Sequence, residues 1–460
     1  MGHPYIPNGV ESIRKEILSA IGVNSIEELF SDIPDQIRVS HRPSLPEPHS
    51  EIEAKRHIEK IFSKNIVDGD VISFLGAGCW SHAVPAAVDS IAGRTEFLTS
   101  YTPYQPEISQ GMLQSLHEYQ SLVCELLDME VVDSSMYDWA SGLGEAARMA
   151  SRVTGRTGFL YPHFIHPERL ATLRSYVDPA GIKLVEVMND PHDAQIDVED
   201  VKKKLTSNTA ALYVENPSYL GLLMMNLDEL SEVVHDAGAL LVSGVDPISL
   251  GLIKPPGQYG ADIAIGEGQH LGSYASYGGP LLGIFACRED TRLVRQIPGR
   301  VIGMTVSREA ETGYCMVLQT REQHIRREKA TSNICSNEAL LAVRTAAYLA
   351  LLGPEGLRQL GRYVTSMSSY LSGELSEVEG IKSPSFEGPY FKEFTMHLTK
   401  QGKTIADMNQ YLLEKGIIGG KSLVEDYSEL GQGTLLSVTE RHTREDLGML
   451  SQAIQEFMEA

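Results

Sequence analysis

The chain has 460 residues, 42% of them apolar and 22% charged, which suits a globular protein of two or three packed units and excludes disordered, collagen-like and coiled-coil readings. Thirty-nine Lys and Arg against 61 Asp and Glu leave a formal net charge of −22, which repels phosphate backbones and anionic lipid heads, so nucleic acid and membrane surfaces are not expected as partners. Cys79, Cys124, Cys287, Cys315 and Cys335 form no C-x-x-C pair, so neither a disulfide framework nor a metal site is expected, and a reducing cytoplasm fits best.

The first ten residues hold two prolines and lack the apolar core of a secretory signal, and no later apolar run approaches the roughly 18 residues of a membrane span. Residues 1–65 read as an arm. Short helices are predicted from Val10 to Ile21 and from Ser50 to Phe62, while Pro34, Pro43, Pro46 and Pro48 favour extended chain between them, suited to lying across a partner subunit. Residues 66–320 alternate β-rich runs with amphipathic windows. The runs are Phe159 to Tyr161, Ile182 to Val187, Ala210 to Val214, Leu240 to Val242 and Asp262 to Ile265, and Met112, Leu116, Tyr119, Val123 and Leu126 mark a helix with one buried face. This spacing predicts an α/β domain built on a doubly wound, mainly parallel sheet. Residues 321–460 open with a long helix through Ala339 to Leu352, stopped at Gly353-Pro354, and read as a smaller C-terminal α+β domain.

Ser141-Gly142-Leu143-Gly144-Glu145-Ala146-Ala147 formally matches the dinucleotide pattern G-x-G-x-x-A but lacks the strand that should run into its first glycine. Two other readings stand beside it. One is a helix start capped by Ser141 with glycines for close packing; the other is a phosphate cradle, which would suit pyridoxal phosphate. That cofactor needs a lysine for its Schiff base. Between Asp70 and Thr320 the lysines are Lys183, the solvated triplet Lys202 to Lys204, and Lys254 in a proline-rich loop. None follows the run Asp262 to Ile265, where Gly268-Gln269-His270 stands instead; His270 reads as a hydrogen-bonded structural residue or a general base. Tyr101 to Glu107 packs two tyrosines, two prolines and an acid into one loop, read as a rigid turn or an interface. The basic run Gln323 to Lys329 leads into Ala330 to Asn337 and reads as a solvated turn or a carboxylate-binding stretch. Hydrolase, zincin and P-loop patterns are missing.

Several stretches together resemble one family. They are Phe74 to Gly78, Tyr101 to Gln110, Met136 to Ser141, Lys254 to Gly257, Gly266 to Gln269 and Thr320 to Cys335. In order and nearly throughout the chain they are similar to the alpha subunit (subunit 1) of glycine dehydrogenase (decarboxylating), the P-protein of the glycine cleavage system. The resemblance implies the fold of fold-type I pyridoxal-phosphate enzymes. It also implies a complex with a beta subunit that decarboxylates glycine and passes the aminomethyl group to the lipoyl arm of the H-protein. In the beta subunit the cofactor lysine follows a histidine, and the matching pair here is Gln269-His270; imidazole forms no Schiff base with an aldehyde. The acid expected on the preceding strand falls near Val242 and Ser243, with Asp246 only later. The implied picture is a degenerate cofactor site near Ser141, Gly142, His163 and His270, with pyridoxal phosphate on the partner. Tyr101, Tyr104, Glu107, Arg327 and Asn333 are then candidates for the interface or substrate channel. Two alternatives are a self-sufficient enzyme using Lys254 and a purely structural or regulatory subunit.

Overall fold

The computed structural model describes residues 3–460 except Pro4, 40–43, Asp68 and Tyr101, and only the backbone of Pro7 and Thr320. Tyr101 and Pro43 therefore lie outside the described residues. The chain divides into two units, Met1–Ile66 and Val67–Ala460.

The first unit carries the helices Glu11–Ile21 and Glu51–Phe62, each within a residue of the range expected from sequence. Ser50 opens the second with a capping box: its hydroxyl accepts from the Glu53 amide while the Glu53 carboxylate accepts from the Ser50 amide. Neither helix buries a side chain, and Ile17, Ile21, Ile58 and Phe62 are exposed.

The second unit is organised by a seven-stranded sheet. Its strands are β1 (Val131–Val132), β2 (Gly158–Pro162), β3 (Lys183–Val187), β4 (Thr209–Asn216), β5 (Leu240–Val245), β6 (Ile263–Glu267) and β7 (Gly283–Cys287). They lie in the order β1-β7-β6-β5-β4-β2-β3. The five runs expected from sequence are β2 to β6, all parallel; β7 and β1 add on antiparallel. Alternate residues feed different cores. Phe159 and Tyr161 of β2, with Ala211 and Tyr213 of β4, pack on one face, while Leu160, Leu212 and Val214 pack on the other. Both faces are covered, which is why these strands are continuous apolar runs. Each large side chain buried this way is worth about 1.5–3 kcal/mol.

The helix Gln110–Leu127 buries Met112, Leu116, Tyr119 and Val123 as expected, with Leu127 completing the row and Leu126 half-buried. A hairpin of Val301–Val306 and Thr312–Val317, not expected from the sequence, follows β7. The helix from Ala339 runs to Ser376 and breaks at Gly353, whose φ of 59° is left-handed. It is long and apolar enough to cross a membrane by composition alone, contrary to the expectation that no such stretch exists. Its apolar residues have another use: Leu341, Val343 and Val364 enter one core, and Leu371 and Leu375 enter a second. That second core also underlies an antiparallel sheet ordered Ile381–Lys382, Glu393–Leu398, Gly433–Ser437, Lys421–Ser422, with Phe394, Met396 and Leu436 pointing into it. The start of Glu393–Leu398 delivers Lys392 and Glu393 to the carboxyl ends of β4, β5 and β6, the edge where doubly wound sheets hold their ligands.

Candidate functional site

β5 ends directly before Asp246, and β6 runs on through Gly268 to His270. The two side chains meet: His270 Nε2 lies 2.9 Å from Asp246 Oδ1, with both residues buried. Lys392 Nζ lies 2.7 Å from Asp246 Oδ2 and 3.1 Å from His82 Nε2, and stands 3.8 Å above the Trp80 ring. His82 Nδ1 lies 2.7 Å from Glu440 Oε2. This geometry fixes the protons. The Lys392 ammonium donates to Asp246 and to His82 Nε2, so His82 must carry its own proton on Nδ1 and donate to Glu440. His270 donates from Nε2, and its Nδ1 has no partner.

Burial, reinforced by the Lys392 charge, pushes His270 down to about 3, and the same two causes lower His82. Burial works to raise Asp246, but Lys392 and His270 outweigh it and hold the carboxyl well below the carboxylate range. Glu440 is likewise raised by burial and then brought down to about 2 by the His82 hydrogen bond. The result at neutral pH is one ammonium, two carboxylates and two neutral imidazoles, each held by another.

The neighbouring helix Trp139–Thr154 begins one strand away, and its cap is not Ser141. Asp138 is the cap: its carboxylate accepts the Ser141 amide at 2.6 Å, and Ser141 sits in the first turn with its hydroxyl returned to Asp138. The sequence misled because the helix starts before the apolar pattern, with Trp139 in its first turn. A second acid, Glu267, accepts from the amides of Gln269 and Leu282 at 2.9 Å and of Trp139 at 3.3 Å; burial still pushes it up to about 8. Of the expected close-packing glycines, Gly144 is one, since a Cβ there would lie 2.4 Å from Tyr176, whereas Gly142 meets Ile265 only at 3.8 Å. The Trp139 indole lies against β5, where a Cβ at Gly244 would strike it at 2.6 Å, and Arg169 stacks on it at 3.7 Å while binding Glu215 at 2.8 Å.

A phosphate-bearing aldehyde does not fit this donor set. Two amides of the helix start, those of Trp139 and Ser141, already serve the Glu267 and Asp138 side chains, and position 270 offers an imidazole locked to Asp246. Ser243, beside which a ring-nitrogen acid was expected, bonds the Tyr259 hydroxyl at 2.6 Å. An amine does reach the site, and the sequence reading missed it: Lys392, which the fold imports from the C-terminal part. It is committed to Asp246 and Trp80 as an ammonium.

His163 does not join the cluster. It bridges Glu186 and Glu429, the latter at 2.6 Å, and packs on Phe164 and Tyr427. Lys254 stays half-exposed, paired with Asp228 at 2.7 Å. At the rim, Tyr104 is 43% exposed. Its hydroxyl accepts from the buried Arg300 at 3.1 Å and donates to Glu322 at 3.3 Å, so the loop is part internal packing and part surface. Glu107 is exposed. Arg327 and Asn333, both exposed, line one cleft of about 490 Å³ with Arg148 and Tyr176. Among the described residues no group of acids, histidines and cysteines is arranged to hold a metal.

The family model described as glycine cleavage system P-protein matches residues 3–454. Proteins of Staphylothermus marinus and Aeropyrum pernix named probable glycine dehydrogenase (decarboxylating) subunit 1 are 47% and 48% identical, each aligned over 98% of its own length and over 99% and 98% of this chain. The crystal structure of an inhibitor-bound glycine decarboxylase (P-protein) of the glycine cleavage system superposes with a TM-score of 0.88 at 40% identity, covering 99% of this chain and all of that one. A Burkholderia pseudomallei sphingosine-1-phosphate lyase, at 13% identity and a TM-score of 0.65 over 92% of this chain and 93% of its own, shares the fold of fold-type I pyridoxal-phosphate enzymes. With matches that run end to end at these identities, the chain belongs to the glycine cleavage system P-protein family.

Proposed function

We propose that this chain is the subunit of glycine dehydrogenase (decarboxylating) that lacks the cofactor lysine. With a homologous lysine-bearing subunit 2 it forms the cytoplasmic complex that decarboxylates glycine and hands the aminomethyl group to the lipoyl arm of the H-protein. Pyridoxal phosphate, held by the other chain, supplies the electron sink for that chemistry. The observation that carries the reading is the closed relay Glu440–His82–Lys392–Asp246–His270, which leaves no free amine where the family's chemistry needs one. Tyr104, Glu107, Arg327 and Asn333 are the residues of this chain proposed to face the partner or its substrate channel. Lys254, in its exposed ion pair, lends nothing to a self-sufficient enzyme.

The test is reconstitution. The isolated chain with glycine and pyridoxal phosphate should give no glycine–bicarbonate exchange, and exchange should appear on adding a lysine-bearing subunit 2. Borohydride treatment of the isolated chain should leave Lys254 and Lys392 unmodified. Exchange by the chain alone, or a stoichiometric pyridoxyl adduct at either lysine, sinks the proposal. Reconstitution that proceeds equally well with Arg327→Ala and Asn333→Ala would remove those two from the channel.

A further inference from the structure

The stretches 102–107 and 331–337 carry Tyr104, Glu107 and Asn333, which are proposed to face the partner. Neither stretch belongs to a helix or a sheet, so no backbone ladder fixes its shape. One buried side chain reaches both. Arg300 is 4% exposed, and each of its terminal nitrogens binds one acceptor from each stretch. Nη1 donates to Thr102 Oγ1 at 3.3 Å and to Asn337 Oδ1 at 3.5 Å, while Nη2 donates to the Tyr104 hydroxyl at 3.1 Å and to the Cys335 carbonyl. A terminal guanidinium nitrogen holds a pair of N–H groups in fixed directions, and here each pair is split across the two stretches. Charge alone does not call for this arrangement. Arg300 Nε lies 3.8 Å from Glu322 Oε1, but Arg321 Nη2 already stands 3.7 Å from the same oxygen. The base of the fork is fixed as well. The Arg300 carbonyl accepts from the Ser134 amide at 2.6 Å, Ser134 Oγ accepts from the Asn337 side chain at 2.7 Å, and Ser135 Oγ accepts from the Glu338 amide at 2.9 Å.

We infer that Arg300 is a positioning residue that ties the two stretches into one preorganised surface, so that subunit 2 meets both or neither. The inference rests on the proposed partner-facing role of these stretches and adds the residue that sets their relative placement. Its physical basis is the cost of ordering. A loop that is free in the isolated subunit must be ordered on binding, and that cost subtracts from affinity, whereas loops held beforehand by one fork bring no such cost. Arg300→Lys keeps the charge beside Glu322 and loses the planar fork, since an ammonium is a point charge on a flexible stem. It therefore separates positioning from charge pairing.

Hydrogen–deuterium exchange of the full isolated chain, resolved by peptide, reads the coupling directly, and the heterodimer Kd with subunit 2 reads its use. Thr102→Val removes an acceptor from the first stretch alone, at a half-buried loop position, so this variant decides the matter even if Arg300→Lys does not fold. Exchange in Thr102→Val should rise several-fold in 331–337 as well as in 102–107. Arg300→Lys should raise it about tenfold in both, leave β2 to β6 unchanged, and weaken association with subunit 2 about tenfold or more. The inference is overturned if Thr102→Val loosens its own stretch only, or if both stretches of the parent already exchange at the rate of unstructured chain. It is equally overturned if Arg300→Lys exchanges like the parent, speeds β2 to β6 as much as the two stretches, or associates as tightly as the parent. Exchange is measured without subunit 2, so a failed reconstitution would sink the subunit assignment and leave the coupling result standing.

Discussion

Lys392 and the four ionisable side chains linked to it form one chain of contacts, buried except at half-buried Glu440, whereas Tyr104, Glu107, Arg327 and Asn333 stand at the surface with at most one foot in the fold. The first region has lost its water, so each charge there must be answered by another and no member changes without stranding its neighbour. The second keeps its water, and its side chains can be replaced at little cost to folding. On the proposed assignment of the second region to the partner contact, stability and partner recognition are separable in this chain, and substitution can test each without the other.

The sharpest test of the separation is Lys392→Met. It strands the buried Asp246 carboxylate and should cost about 3–5 kcal/mol in urea denaturation, against less than about 0.5 kcal/mol for Arg327→Ala. Equal costs would erase the distinction. Next comes Tyr104→Ala, expected to weaken association with subunit 2 by about 2 kcal/mol in a measured heterodimer Kd. Part of that loss traces to the uncovered Arg300–Glu322 pair, so the isolated variant's stability must be measured alongside.

The third expectation concerns pH. His270 has its ordinary value of 6.5 in the unfolded chain and falls to about 3 when folded, so between these values the unfolded state binds more protons. Stability should therefore fall as pH drops through that window, by up to about 1.4 kcal/mol per pH unit from this residue. Glu267, raised from 4.5 to about 8, acts in the opposite sense over its own window. It does so in parent and variant alike, so the difference in slope between the parent and His270→Gln isolates the histidine. A parallel pH profile for the two proteins would mean that His270 is protonated in the fold. The smallest effect is expected for Glu107→Gln, which should leave the denaturation midpoint unchanged and reduce the salt dependence of association with subunit 2. An unchanged salt dependence would place Glu107 outside the contact.

β2, β4 and β6 were legible because burial on both faces writes them as apolar runs, whereas the edge strand β3 keeps Lys183 and Glu186 exposed and was read from Leu184, Val185 and Val187; β2 to β6 fall where the runs predict. β1 is two residues long and carries no periodic signal. β7, Gly283 to Cys287, is an apolar run that periodicity alone does not assign to strand or helix. At the site, the mismatch of His270 was visible along the chain because a lysine and a histidine differ in one position. Lys392 was not, because a census by sequence neighbourhood stops where the first domain appears to end. A signal did exist: Lys392-Glu393 interrupts Phe391 and Phe394 at the head of a buried strand, and charges in that setting need partners. His163 illustrates the opposite error. It follows β2 at the correct edge, but Glu186 and Glu429 draw it aside.

Asp138 makes the helix start at Trp139 self-sufficient. A carboxylate that caps the helix at Trp139 contributes about 0.5–2 kcal/mol, and it does so by occupying the Ser141 amide, which is then closed to an outside anion. An amine placed at position 270 by His270→Lys would meet a second ammonium at Lys392, and removing Asp138 would weaken the helix start with nothing to replace it. The groups that close this edge of the sheet are thus also the ones that hold it together, so neither single substitution is expected to open it without loss of stability.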